Sequence, residues 1–266
     1  MLKLLKIDLK KLANYRAFWV LNIMYGVLII SIPVVVLEFL KWLKEKGAEF
    51  DNFDPMKIPV LYFPDIWQNI TFVYTFLKIF LAIVVVISIS NEFSYKTIRQ
   101  NIIDGFSRMD FIKSKMGTIL LLSVGSALLV FITGLLTGLL YTPDLEAGDV
   151  FNGSEFILAY FLDLFCYLTL AFLLTVLFKR SALTVFMLLL ISPIESTIAA
   201  FFPDNLKFIT EYFPIHAINN LIAFPFSRYW FQEIQDYVSI PAVGVVVIYI
   251  AAFVYAIYYK LKSSDL

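Results

Sequence analysis

The sequence predicts an all-α membrane protein: six transmembrane helices, an N-terminal interfacial amphipathic helix, a short cytoplasmic helix between spans two and three, and short external helices between spans five and six. Composition, run length and the placement of charge carry this reading. Hydrophobic residues make up 61 % of the chain and charged ones 16 %, against about 45 to 50 % and about 25 % in soluble domains. A spanning helix needs about 20 mainly apolar residues, because the hydrocarbon core is roughly 30 Å thick and a helix rises about 1.5 Å per residue. Six stretches qualify, at about 17–39, 70–91, 115–141, 155–178, 182–202 and 239–259. Hydrocarbon offers backbone groups no partners, and the runs are too long and too unalternating for barrel strands, so they are helices. With no soluble domain, low-complexity tract or internal repeat, residues 1–266 read as one transmembrane domain.

The net charge of zero hides an asymmetry. An even number of spans puts both termini on one side, together with residues 92–115 and 179–181. That side holds fourteen lysines and arginines, the opposite side six, and Lys78 lies inside a span. By the positive-inside rule the termini are cytoplasmic. The balanced total gives no pointer to nucleic acid.

Taken in order, the start MLKLLKIDLKKL sets Leu2, Leu5, Leu9 and Leu12 on one helical face with lysines elsewhere, the pattern of a helix lying in the interface, or of a basic anchor for span one. The first apolar run has no small-residue cleavage site after it and is expected to be retained. Residues 41–69 carry Pro55, Pro59 and Pro64 and are expected to form an ordered loop with a short helix. Residues 203–238 are aromatic-rich but interrupted by Pro214 and Pro225, which rules out a straight span and predicts two short helices in or on the outer leaflet. In span three, GLLTG at Gly134–Gly138 has the small-xxx-small spacing that lets helices approach closely, either within the chain or at a dimer seam.

Much chemistry is excluded. One histidine, His216, and one cysteine, Cys166, build neither a zinc cluster nor a Cys/His nucleophile nor a disulfide framework. No G-x-x-x-x-G-K-[ST] stretch exists, so the chain does not cradle ATP in the P-loop manner. Three ionisable residues lie within the spans: Lys78, Asp163 and Glu195. Each costs about 2.5 to 3.5 kcal/mol at a helix centre on insertion scales and so tends to face an interior. All three sit about 12 Å below the external surface at 1.5 Å per residue. A buried pair of Lys78 with Asp163 or with Glu195 is expected, the alternative being separate snorkelling to the outer interface; a charge left over would face a substrate path.

The polar stretch EFSYKTIRQNIIDGFSRMDFIKSK, residues 92–115, is too long for a mere connection. Read as a helix over 92–104, it puts Phe93, Ile98 and Ile102 close to one face and Lys96, Arg99, Gln100 and Asp104 on the others. Gly105 is a helix stop, and Ser107 with Asp110 has the form of a capping box for the next helix. Glu92, then Thr97-Ile98-Arg99, then Ser107-Arg108, then Lys115 follow in the order E, T-I-R, S-R, K. In these residues the segment resembles the type-2 ABC transporter permeases, where the connection of spans two and three is a coupling helix docked in a groove of the ATP-binding subunit. Many such permeases carry a proline near the turn where this chain has Asp104 and Gly105. The likeness extends over the rest of the chain: an interfacial N-terminal helix, six spans and external helices between spans five and six.

The resemblance implies the membrane-spanning permease subunit of an exporter in the bacterial cytoplasmic (inner) membrane, itself no enzyme. Its partners would be an ABC ATP-binding subunit, a second permease copy or homologue, and membrane lipids. No cofactor would be bound by this chain; ATP and Mg would sit in the partner subunit. Phe93, Ile98 and Ile102 would seat the coupling helix, Arg99 and Arg108 would make charged contacts, and Glu92, Thr97, Asp104, Gly105 and Ser107 would complete the coupling segment. Two other functions compete: a secondary transporter using Lys78, Asp163 and Glu195 as a proton relay, and an intramembrane enzyme using Asp163 or Glu195 as acid or base.

Overall fold

An apolar helix with few polar positions on any side can be stable only when it is surrounded, and residues Glu155–Phe178 have that character. In the computed structural model, which describes residues 2–46, 58–146, 148–230 and 232–263, this helix stands at the centre of the bundle. In chain order the helices are α1 (Leu2–Ala13), α2 (Arg16–Glu45), α3 (Ile66–Thr75), α4 (Lys78–Ser94), α5 (Thr97–Ile103), α6 (Arg108–Tyr141), α7 (Glu155–Phe178), α8 (Ser181–Phe201), α9 (Pro214–Asn219) and α10 (Ile240–Ser263). The central α7 packs on α3, α4, α6, α8, α9 and α10. Its apolar stretch is 67 % buried, against 17 % for α8 and for α10, which lie at the periphery.

Five helices, α2, α6, α7, α8 and α10, are long and apolar enough to cross a membrane. A sixth crossing exists if α3 and α4, which meet at a 43° bend, count as one span. Among the described residues there is no strand. The second span, expected over about 70–91, is thus broken within that stretch, and the cause of the bend is local. Thr71 and Thr75 turn their hydroxyls back onto the carbonyls of Trp67 and Phe72 at 2.6 and 2.7 Å. The backbone N–H groups of Phe76, Leu77 and Phe80 then bond three residues back instead of four. Back-bonding threonines and a tightened ladder are both known to bend helices. Helix α6 also exceeds its predicted span: at 34 residues it is about 51 Å long, well beyond a 30 Å hydrocarbon core.

Contacts divide the bundle into two ends. The N-terminal part of α6 meets α1, the last turn of α10 and α5 at one end. The segments before α3, after α6 and between α8 and α10 meet at the other. The first end gathers the lysine- and arginine-rich segments and is termed the basic end below.

Helix α1 buries Leu4, Asp8 and Leu12 and packs Leu5 near Gly117. Leu9 is exposed, a correction to the expected leucine face; the side chain of Leu2 lies outside the described residues. The helix has rotated to put its one acidic residue inward, where a charged partner awaits it. The GLLTG pair packs within the chain: a Cβ on Gly134 would stand 2.4 Å from Ile70, and one on Gly138 2.4 Å from the Phe63 ring. Pro55 of the expected external loop lies outside the described residues. Between α8 and α10, α9 begins at Pro214, where a missing N–H costs nothing, and is flanked by 3-10 turns at Asp204–Tyr212 and Phe226–Trp230. Phe208, Tyr212, Phe224 and Trp230 are exposed there.

Candidate functional site

Two buried charge clusters stand out, one near each end of α4. The first surrounds the connection between α4 and α6. Helix α4 runs through Ser94 and is then broken by Lys96, whose φ of 56° is left-handed; the expected helix over 92–104 is therefore two pieces, with α5 turned away from α4. Gly105, at φ 89°, ends the connection as expected, since glycine takes this conformation without a Cβ clash. Ser107 and Asp110 close the capping box that starts α6: the Asp110 N–H donates to Ser107 Oγ at 3.1 Å and the Ser107 N–H to Asp110 Oδ2 at 3.1 Å.

Beneath α5 lies a network of four charges. Lys115 of α6, 3 % exposed, reaches Asp8 of α1 at 3.0 Å and Glu92 of α4 at 3.4 Å. Glu92 also accepts from Lys11 at 3.0 Å and from the hydroxyl of Thr97, the first residue of α5. Ser114 donates to the second Asp8 oxygen at 2.6 Å. Each buried carboxylate is thus met by an ammonium and a hydroxyl, which is what keeps buried charge tolerable. A cavity of about 320 Å³ opens beside the network, lined by Asp8, Lys11, Tyr15, Asn91, Glu92 and Lys115 among others.

The other residues of the segment divide by direction. Ile98 is buried in the chain's own core, and with Ile102 it lines a narrow crevice against Leu4, Phe106, Phe111 and Leu261. Phe93 is half-buried, with the Lys179 ammonium 5.6 Å from its ring centre. Arg108 points to its own chain, donating to the carbonyls of Leu261 and Lys262 in the last turn of α10. Lys96, Arg99 and Asp104 are exposed. The segment's most exposed apolar residues are Tyr95 and Ile103, at 76 % and 79 %; of the Phe93–Ile98–Ile102 face read from helical spacing, Ile102 is exposed, Phe93 half-buried and Ile98 buried. The left-handed kink at Lys96 interrupts the helical spacing between Phe93 and Ile98.

The second cluster lies at the start of α4, next to the bend. Lys78 Nζ donates to both Asp163 oxygens, at 2.8 and 3.1 Å, and to Asn219 Oδ1 of α9 at 3.3 Å; the same ammonium lies 4.9 Å from the Tyr167 ring centre. Asp163 is 1 % exposed and Lys78 9 %. Of the two expected partners, Asp163 is the one engaged. Glu195 instead accepts from the backbone N–H of Ile215, at 2.9 and 3.2 Å, and of His216, at 3.2 Å, at the start of α9. The expected shared layer of three charges is thus a pair plus a separate tether, and Glu195 is engaged with α9 where a substrate path was expected. His216 Nδ1 donates to the Thr210 carbonyl at 2.9 Å, and its Nε2 shares a hydrogen bond with Ser196 Oγ at 3.4 Å. Cys166 is buried in α7.

Sequence reading missed Asp8, Lys11 and Asn219. Asp8 had a signal, as the one acid in an otherwise basic start; Asn219 had none. It also missed a hydroxyl cluster in which Tyr25 bonds Ser126 and, at 2.6 Å, Tyr160, joining α2 to α6 and α7. At the end away from the basic segments, Arg228 binds Asp65 and, at 2.6 Å, Gln68. Burial raises the pKa of Asp65, and Arg228 opposes that shift. Among the described residues no group of three or more His, Cys, Asp or Glu side chains is placed to hold a metal ion.

Residues 27–266 match the model of a family described as a protein of unknown function. No curated protein matches the sequence.

Proposed function

The chain belongs to the DUF2705 family, a family of unknown function, and on the evidence of its own residues we propose that it is the membrane-spanning permease subunit of an ATP-binding cassette exporter, with α5 as its coupling helix. The observation that carries the reading is the construction around α5. A short helix lies between α4 and α6, leaves Arg99 and Ile103 exposed next to exposed Tyr95 at the end of α4, and is tied to three other helices by a buried charge network. A connection that only reversed the chain would need no such anchoring; the α7–α8 turn manages with Lys179 and Arg180 alone.

In this reading ATP and Mg are held by a separate subunit, and this chain receives a push at α5. Thr97 passes it to Glu92 of α4, Lys115 relays it between α4, α6 and α1, and Arg108 carries it to the end of α10. The subunit works with a second copy or homologue, its basic end in the cytoplasm of a bacterium. The relay alternative lacks a third member, since Glu195 is engaged with α9.

The test is co-purification with a co-expressed ATP-binding cassette subunit from the same genome. Ile103→Glu and Arg99→Glu are expected to abolish the association while membrane insertion persists. Arg108→Glu is a poorer probe, because it breaks a contact within the chain. Undiminished association in both Ile103→Glu and Arg99→Glu would sink the assignment of α5.

A further inference from the structure

Left-handed backbone is where glycine belongs, because a Cβ collides with the following carbonyl. Only three non-glycine residues among those described adopt it, and two are lysines at helix ends: Lys96, between α4 and α5, and Lys179, at the end of α7. They are 83 positions apart in sequence, yet both line the same groove at the basic end. The groove has a volume of about 270 Å³ and is lined by Glu92, Phe93, Ser94, Lys96, Ile98, Arg99 and Lys179. Strained backbone that persists at a shared site points to function.

The lining gives the ligand's chemistry. Three cations meet one carboxylate, and that carboxylate is engaged by Lys11, Lys115 and Thr97. The floor is apolar, formed by half-buried Phe93 and buried Ile98. Lys96, Arg99 and Lys179 are exposed around it. A site with cations at the rim and an apolar floor, opening between the ends of membrane-crossing helices, matches a phosphate that arrives attached to an acyl chain. Basic pockets between helix ends recognise anionic lipid headgroups in this way.

We infer that this groove binds the headgroup of an anionic phospholipid from the leaflet at the basic end, and that Lys96 and Lys179 are retained at glycine positions to hold its phosphate. This goes beyond the permease reading and does not depend on it.

The test is native mass spectrometry of the full-length chain in detergent, titrated with phosphatidylglycerol or with phosphatidylcholine of the same acyl chains. The wild type is expected to retain phosphatidylglycerol at concentrations at least tenfold lower. The double variants Lys96→Gly/Lys179→Gly and Lys96→Gln/Lys179→Gln should each lose that preference, whereas Lys113→Gln, outside the groove, keeps it. The glycine variant should unfold at the same or a higher temperature than wild type, a result that lysines with a purely structural role would not give. Equal retention of the two lipids, an unchanged preference in either double variant, or a lowered midpoint in the glycine variant would overturn the inference. Displacement of the lipid by equimolar inorganic phosphate would reassign the groove to a free anion. Binding of a polyglutamate peptide in its place, lost in the variants, would reassign it to an acidic protein.

Discussion

The Lys78–Asp163 pair offers the most demanding test of the packing. Its ammonium and carboxylate are 2.8 Å apart, in a site where Asp163 is 1 % exposed. At an effective dielectric constant of about 20 the attraction is about 6 kcal/mol, offset by several kcal/mol of lost hydration for each ion. The net value of the intact pair is therefore small, but removal of one member strands the other. Lys78→Met is expected to cost about 3 to 5 kcal/mol, the range for an uncompensated buried charge. Asp163→Asn should cost less, because Lys78 keeps Asn219 Oδ1 as an acceptor. The double variant should lose no more than Lys78→Met alone, so the coupling should be at least as large as the Asp163→Asn cost. Unfolding of detergent-purified protein, followed by tryptophan fluorescence, measures each corner of the cycle. Interhelical hydrogen bonds in membrane proteins couple by about 0.6 kcal/mol on average. A coupling at or below that value would mean that the two side chains do not share a buried ion pair, and the argument would fail.

Two further outcomes are expected from other parts of the bundle. Gly138→Ala should destabilise the fold by about 1 to 3 kcal/mol by driving a methyl into Phe63, whereas Gly125→Ala, which meets nothing within 4 Å, should stabilise it by up to about 1 kcal/mol through helix propensity; equal effects at the two positions in a thermal unfolding assay would contradict the packing. For Arg228→Gln, the loss of the one group that lowers the Asp65 pKa leaves burial unopposed. A carboxyl whose folded pKa lies above its unfolded value loses stability as pH rises through that window. The variant's thermal midpoint should thus fall further below wild type at pH 7.5 than near the Asp65 titration, and a pH-independent difference would refute this.

What could be read from the sequence was what depends on local pattern. The apolar runs, the Gly105 stop and the Ser107–Asp110 capping box each follow from a few adjacent residues, and the structure carries all three. That Lys78 has a carboxylate at its own depth was legible from position alone, because all three charges lie at one level of the bilayer. The choice between Asp163 and Glu195 was not: it turns on α9, whose N–H groups capture Glu195. Arg108 looked outward because its acceptors, the carbonyls of Leu261 and Lys262, lie about 150 residues away in sequence and leave no trace near it. The split of the Phe93–Ile98–Ile102 face, with Ile98 buried and Ile102 at the surface, was not legible for a specific reason. Helical spacing was carried through Lys96, where the backbone adopts a conformation that lysine gives no reason to expect.

The kink at Lys96 and the bend at residues 76–77 bracket α4, and their positions bear on how a push at α5 would travel. Between them α4 runs without interruption from Lys78 to Ser94, 17 residues or about 26 Å. A buried charge anchors each end: Lys78 to α7 and α9, Glu92 to α6 and α1. A rigid segment between two places where the backbone already departs from regular helix behaves as a lever, since φ/ψ changes concentrate where the ladder is weakest. In the permease reading, a shift of Thr97 against Glu92 tilts α4 about its packing on α7 and strains the Lys78–Asp163–Asn219 contacts at the far end. Asn219 belongs to α9, which Glu195 ties separately to α8. The two clusters are in that view the two ends of one element, and the Lys78 cycle and the α5 substitutions probe the same lever from opposite sides.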